Sequence, residues 1–156
     1  MKIKIMSRRA IEKYTENPIT EDTAIISITD FNGSFAKLKN PPKYLLQIKF
    51  DDVDNDVIVD ELGHQPTELE RKMIESKYNM FSDEQARELA NFYHSVADKS
   101  EYLICQCEHG QSRSAAVAAA ILEYRSRKGI RIFSDDRYYP NKIVFRKFFV
   151  ELSKTL

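Results

Sequence analysis

Hydrophobic positions along this chain switch between the two-residue period of strands and the wider spacing of helices. Ile3 to Met6 alternates and reads as a short opening strand. Ser7 stands where an N-cap belongs, ahead of a helix carrying Arg8, Arg9, Ile11 and Tyr14. Ala24 to Ile28 is a β-branched run and predicts a buried strand. Asn32-Gly33 marks a turn, Pro41 and Pro42 interrupt the chain, and Tyr44 to Phe50 reads as the next strand. Beyond Phe50 the chain turns acidic, with Asp51, Asp52, Asp54, Asp56, Asp60 and Glu61, which predicts a solvated loop. Residues 66 to 78 are expected to form a polar surface helix or an insertion.

The second half is more regular. Ser82 and Gln85 make a capping box, and Ala86, Leu89, Ala90, Phe92 and Tyr93 continue at helical spacing to about Ala97. Tyr102 to Gln106 reads as a strand, followed by a turn holding Gly110 and a helix from Arg113 to about Lys128. Gly129 is the expected helix stop. A last helix begins near Pro140-Asn141 and carries Ile143, Val144, Phe148 and Leu152. Strands alternating with helices predict an α/β fold, a central mostly parallel sheet of about four or five strands flanked by helices. The 156 residues are expected to form one domain, residues 1–156.

Composition narrows the function. Basic and acidic residues balance at 24 each, which argues against nucleic acid as the main partner and leaves room only for a local basic patch. The two cysteines, Cys105 and Cys107, lie two apart in one apolar run, a poor geometry for a disulfide. The chain therefore reads as a reduced, cytoplasmic protein. A lone Cys-x-Cys with no second Cys or His pair gives no zinc spacing, and no cofactor is called for. The longest apolar run, Ala115 to Leu122, is far short of the roughly 20 residues of a membrane span, so no membrane is expected as partner. No signal peptide is evident at the N-terminus.

Chemistry concentrates in Cys107-Glu-His-Gly-Gln-Ser-Arg113, followed by Ser114, between an apolar strand and an alanine-rich helix. In open α/β sheets that edge is where ligands bind. A free cysteine has a pKa of about 8.5, and a helix N-terminus with a nearby cation lowers it toward the nucleophilic thiolate. Cys107 has both in prospect. A loop that curls over itself turns successive N–H groups inward as an anion nest, and Glu108, His109, Gly110, Gln111, Ser112 and Arg113 would supply them. Gly110 permits the backbone angles of such a curl. Arg113 presents a planar fork for two phosphate oxygens. The Ser114 hydroxyl is placed to donate to the cysteine sulfur. A buried strand cysteine beside an ordinary turn accounts for Cys105, but not for Cys107 and the polar turn that follows it.

Cys-x5-Arg-Ser, with glycine third after the cysteine, resembles the phosphate loop of the protein tyrosine phosphatase superfamily, and the small size resembles its dual-specificity branch. Ser112 to Val117 is similar to the start of that family's next helix, Pro140-Asn141 to the beginning of its last core helix, and Ile48 to Asp52 to the strand ending at its general acid. These matches span residues 44 to 150. The resemblance implies a phosphomonoester hydrolase acting through a phosphocysteine on Cys107, with Asp52 as general acid, Asp54 and then Asp51 being the alternatives. It implies extra residues between Asp54 and Met80.

Three departures qualify this picture. The family's histidine before the nucleophile is Gln106 here, which predicts slower turnover and admits a catalytically weak or inactive phosphate-binding module. Glu108 is expected to face away from the phosphate site. His109 is expected either to contact substrate or the acid loop, or to sit in solvent; His64 and His94 are expected at the surface. The loop has no lysine, which favours a phosphorylated protein, on tyrosine or serine/threonine, over polyphosphorylated inositides; a small metabolite or nucleotide phosphate is the alternative. A sulfurtransferase would commonly have a loop one residue shorter. An arsenate reductase would need a shuttling second thiol, which Cys105 is badly placed to be.

Overall fold

The computed structural model describes residues 1–154. Strands β1 (Lys2–Met6), β2 (Thr23–Thr29), β3 (Tyr44–Lys49) and β4 (Tyr102–Gln106) form one sheet in the order β1-β4-β2-β3. Every pairing is parallel, with Ile104 opposite both Lys4 and Ile25. Parallel strands need crossover connections: α1 (Arg8–Tyr14) joins β1 to β2, a helix-free segment over 30–43 joins β2 to β3, and α2 (Asn55–Leu62), α3 (Glu68–Lys77) and α4 (Asp83–Val96) join β3 to β4. After β4 follow α5 (Arg113–Ser126), α6 (Ile130–Phe133) and α7 (Lys142–Lys154).

Strand parity divides the core. Ala24, Ile26, Ile28, Leu103 and Cys105 join Leu89, Tyr93, Ala116, Ala120, Val144 and Phe148 in the main cluster, beneath α4, α5 and α7. Ile25 and Ile104 face the other way, onto Ile11 of α1 and Ala36. Covered on both faces, β2 is buried at every residue, which is why it reads as a β-branched run rather than an alternation of apolar and charged positions. Helix α5 is buried from Arg113 to Ile121. Its alanines let it lie close to both the sheet and α7 while keeping high helix propensity.

The acidic stretch after β3 is not the solvated loop its composition predicts. Asp54 caps α2 by accepting from Asn55 N at 2.7 Å, and Gly63, at φ 73°, closes it. Residues 66 to 78 contain α3, opened by a Thr67–Glu70 capping box. Ile58 and Ile74 pack with Met80 and Ile143, so this inserted pair of helices is docked on the start of α7. Gly129 is not the stop of α5 either: Arg127 takes the left-handed turn at φ 58° and Gly129 leads into α6. Glycine is needed at 129 because a Cβ there would stand 2.7 Å from the Ala119 carbonyl oxygen. The capping box at Ser82 and the start of α1 at Ser7 form as the sequence predicts.

Candidate active site

Because all four strands are parallel, their C-terminal ends open on one edge, and the residues just beyond them converge there. These are Ser7 and Arg8, Asp30, Phe50 to Asp52, and Cys107. The loop from Cys107 to Ser112 curls over this edge into the first turn of α5. Cys107 N donates to Met6 O at 3.3 Å, and Gly110, at φ 66°, lies against the Met6–Ser7 backbone. A Cβ at Gly110 would stand 2.7 Å from Ser7 N, so both the turn and the close approach require glycine.

The loop's carbonyls turn outward. Glu108 O accepts from Arg8 N at 3.1 Å, Gln111 O from Tyr139 N at 2.8 Å, and Ser112 O from Asn141 N at 3.2 Å. Among the described residues, no backbone N–H from Glu108 to Arg113 reaches a protein acceptor. This is the polarity of an anion nest, with donors gathered on one side and acceptors committed on the other.

Arg113 is 4% exposed, and its Nη1 donates to Asp30 Oδ1 at 2.8 Å and to Phe50 O at 2.7 Å. These two bonds fix the guanidinium plane. Its Nε is buried and without a partner. A buried, unpaired donor on a cation is costly, and an oxyanion in the loop would satisfy it. Cys107 Sγ lies 3.0 Å from Ser114 Oγ, and Cys107 is itself 2% exposed. The structure thus brings Cys107, the 108–113 backbone, Arg113 and Ser114 together.

Asp52 joins them through Ser112, whose hydroxyl donates to Asp52 Oδ1 at 2.9 Å. Asn141 Nδ2 donates to the same oxygen at 2.9 Å and to Val53 O at 3.1 Å, while Asn141 Oδ1 caps α7 through Val144 N at 3.0 Å. Asp54 has both oxygens committed, to Asn55 N and Lys142 N. Asp51 accepts from Phe31 N at 2.9 Å, stapling two loops. Of the three carboxylates, Asp52 is the one bonded to a residue of the loop.

Glu108 faces away from the nest and is held by Arg8, whose Nε donates to Oε2 at 2.7 Å and whose Nη2 reaches Thr29 Oγ1 at 3.0 Å. His109 and Gln111 are exposed. Gln106 is fully buried; its Oε1 accepts from Ser27 Oγ at 2.5 Å and its Nε2 donates to Cys107 O at 3.0 Å. The amide therefore braces the backbone at Cys107. Burial pushes the Cys105 thiol well above its ordinary range, with Cys107 adding to the shift. Cys105 faces the core and offers no second nucleophile. His64 is exposed, whereas His94 is half-buried beside Tyr93 and Tyr124.

Sequence reasoning overlooked Asp30 and Arg8. The available signal was position: each stands within two residues of a parallel strand's C-terminal end.

The parallel sheet, the flanking helices and this loop form an α/β fold that is also found in solved phosphatase structures. Solved structures resemble the chain over nearly its whole length. Tk-PTP in the active form has a TM-score of 0.52 at 15% identity, covering 100% of this chain and 94% of its own. Human DUSP28 has a TM-score of 0.52 at 14% identity, with coverage of 97% and 92%. PTPMT1 has a TM-score of 0.50 at 14% identity, with coverage of 98% and 92%. At these identities the likeness is one of fold. No family model and no curated protein sequence matches the chain. Among the described residues no helix is long and apolar enough to cross a membrane.

Proposed function

We propose that the protein is a cysteine-dependent phosphomonoester hydrolase acting on phosphorylated protein. The observation that carries this reading is the buried Arg113, pinned through Nη1 while its Nε has no partner, at the end of a loop whose N–H groups from Glu108 to Arg113 meet no protein acceptor among the described residues. Phosphoryl transfer asks the protein mainly for position and charge stabilisation, and this arrangement supplies both.

In the first step Cys107 Sγ, as thiolate, attacks phosphorus, an S–P bond forms and the P–O bond to the leaving group breaks. Asp52, as the acid, gives its proton to the departing oxygen. In the second step Asp52 takes a proton from water as the water oxygen attacks phosphorus. The S–P bond breaks, and the Ser114 hydroxyl at 3.0 Å donates to the departing sulfur. Inorganic phosphate leaves and both side chains return to their starting states. Two exposed rings adjoin the loop, Phe31 beside Asp30 and Tyr139 beside Gln111, and offer apolar surface to an aryl phosphate.

Phosphate release from phosphotyrosine and phosphoserine peptides, with Cys107→Ser as control, tests the reading. Turnover that vanishes in the variant is expected. A wild-type protein that binds phosphate but releases none would instead establish a binding module.

A further inference from the structure

Away from the catalytic edge, a groove of about 490 Å³ runs along the outer side of β1. One wall is the strand from Ile3 to Met6; the other is built from Leu122 of α5, Ile132 of α6, and the loop to Tyr138. Lys4, Lys128, Arg131 and Arg137 line it, and the carboxylate in its lining, Asp135, is paired with Arg137 at 2.8 Å. Among the described residues Lys4, Lys128 and Arg131 make no ion pair; Lys4 Nζ stands 5.6 Å from the Tyr102 ring centroid. The groove is therefore positive on a chain whose net charge is zero.

Its inner wall is an open sheet edge. In a strand, the N–H and C=O of one residue point to the same side. Lys2 N donates toward β4, to Glu101 O, and Met6 O accepts from Cys107 N. The even-numbered residues of β1 thus face β4, and the N–H and C=O groups of Ile3 and Ile5 face the groove. Such an edge accepts a further strand, with backbone bonds for affinity and side chains for selectivity. The groove also leads to the loop. Met6, at its end, bonds Cys107, and Tyr138 is followed by Tyr139, whose N–H holds Gln111 O.

We propose that this groove docks an acidic, extended peptide segment flanking the phosphorylated residue of a protein substrate. The segment adds a strand to β1 and sets its carboxylates against Lys128 and Arg131. A patch confined to one groove suits a short acidic segment better than a long polyanion, which would need positive charge over a wider surface. The substrate role rests on the phosphatase reading above; the docking itself does not.

Two measurements separate them. First, fluorescence anisotropy follows a labelled, unphosphorylated Asp/Glu-rich peptide binding to the Cys107→Ser protein. The expectation is saturable binding that weakens about tenfold or more in Lys128→Glu/Arg131→Glu. It should also weaken when alternate peptide nitrogens are methylated, which removes strand donors and leaves the charges. Second, kcat/KM is compared for an acidic phosphopeptide, a neutral phosphopeptide and a small aryl phosphate. The double variant should lower only the first. Binding insensitive to the charge reversal or to N-methylation, or an equal loss on all three substrates, overturns the proposal. Tighter binding of a single-stranded RNA or of phosphatidylserine vesicles than of the peptide also overturns it. A protein that hydrolyses nothing yet binds the acidic peptide as described would sink the phosphatase reading and leave the docking site standing.

Discussion

Asn141 ties the proposed acid to the last helix, and substitutions there separate its two jobs. Its Oδ1 caps α7, while its Nδ2 holds Asp52 and Val53. Asn141→Ala removes both. Loss of the cap costs about 1 kcal/mol, and loss of a buried donor to a carboxylate costs about 1.5–3 kcal/mol. Together they give about 2.5–4 kcal/mol, or a fall in Tm of roughly 5–15 °C for a chain of this size. Asn141→Asp keeps the capping oxygen but sets a second carboxylate beside Asp52, where the amide nitrogen now stands at 2.9 Å. Like charge raises the apparent pKa of the pair. The protonated acid then persists to higher pH, and the charged form that must activate water is disfavoured. The basic limb of the rate profile should move upward, and at neutral pH dephosphorylation of the cysteine should slow about tenfold or more. Differential scanning calorimetry and the pH dependence of kcat for alkyl and aryl phosphates measure the two effects. An Asn141→Asp protein as active as wild type, with an unmoved pH profile, would refute the role assigned to Asp52 and its anchor.

Other substitutions probe the rest of the site. Arg113→Lys loses the fork and the Nη1 bonds to Asp30 and Phe50 O, and kcat/KM for an aryl phosphate should fall about a hundredfold or more in a steady-state assay. Gly110→Ala places a methyl group 2.7 Å from Ser7 N at positive φ, and urea unfolding should register a loss of about 2 kcal/mol or more. Asp52→Ala should slow poor leaving groups far more than good ones, read as a steeper dependence of rate on leaving-group pKa. Because burial holds the Cys105 thiol well above its usual range, it stays protonated through neutral and mildly alkaline pH, so peptide mapping after iodoacetamide should find alkyl label on Cys107 and none on Cys105 until the protein is unfolded.

Much of this was legible in the residues. The β-branched run at Ala24 to Ile28 could be read because β2 is buried on both faces, and Ser82–Gln85 because a capping box is a local interaction. The loop from Cys107 to Arg113 was legible for a similar reason: Cys107, Gly110, Arg113 and Ser114 lie within eight consecutive residues. Helix α2 was hidden because its signal, Ile58 packing on Ile74 and Ile143, is tertiary, while its local composition is that of a solvated loop. The place of Gly129 was hidden because the crowding that demands glycine there comes from the Ala119 carbonyl, inside α5 itself. Asp30 and Arg8 were missed because their partners, Arg113 and Glu108, are 83 and 100 residues distant. Only the parallel order of the strands brings them to one edge. That order also turns Gln106 from a defect into a brace, since its partner Ser27 belongs to the neighbouring strand.

The central claim is that Cys107 carries the phosphoryl group. Rapid acid quench of the protein with an aryl phosphate, followed by peptide mass spectrometry, tests it most directly, and Asp52→Asn should prolong the intermediate by removing the base. The prediction is a peptide containing Cys107 heavier by one phosphoryl unit, formed in the burst and absent in Cys107→Ser. Phosphate released at full rate with no label on Cys107, or equally well by the serine variant, would contradict it.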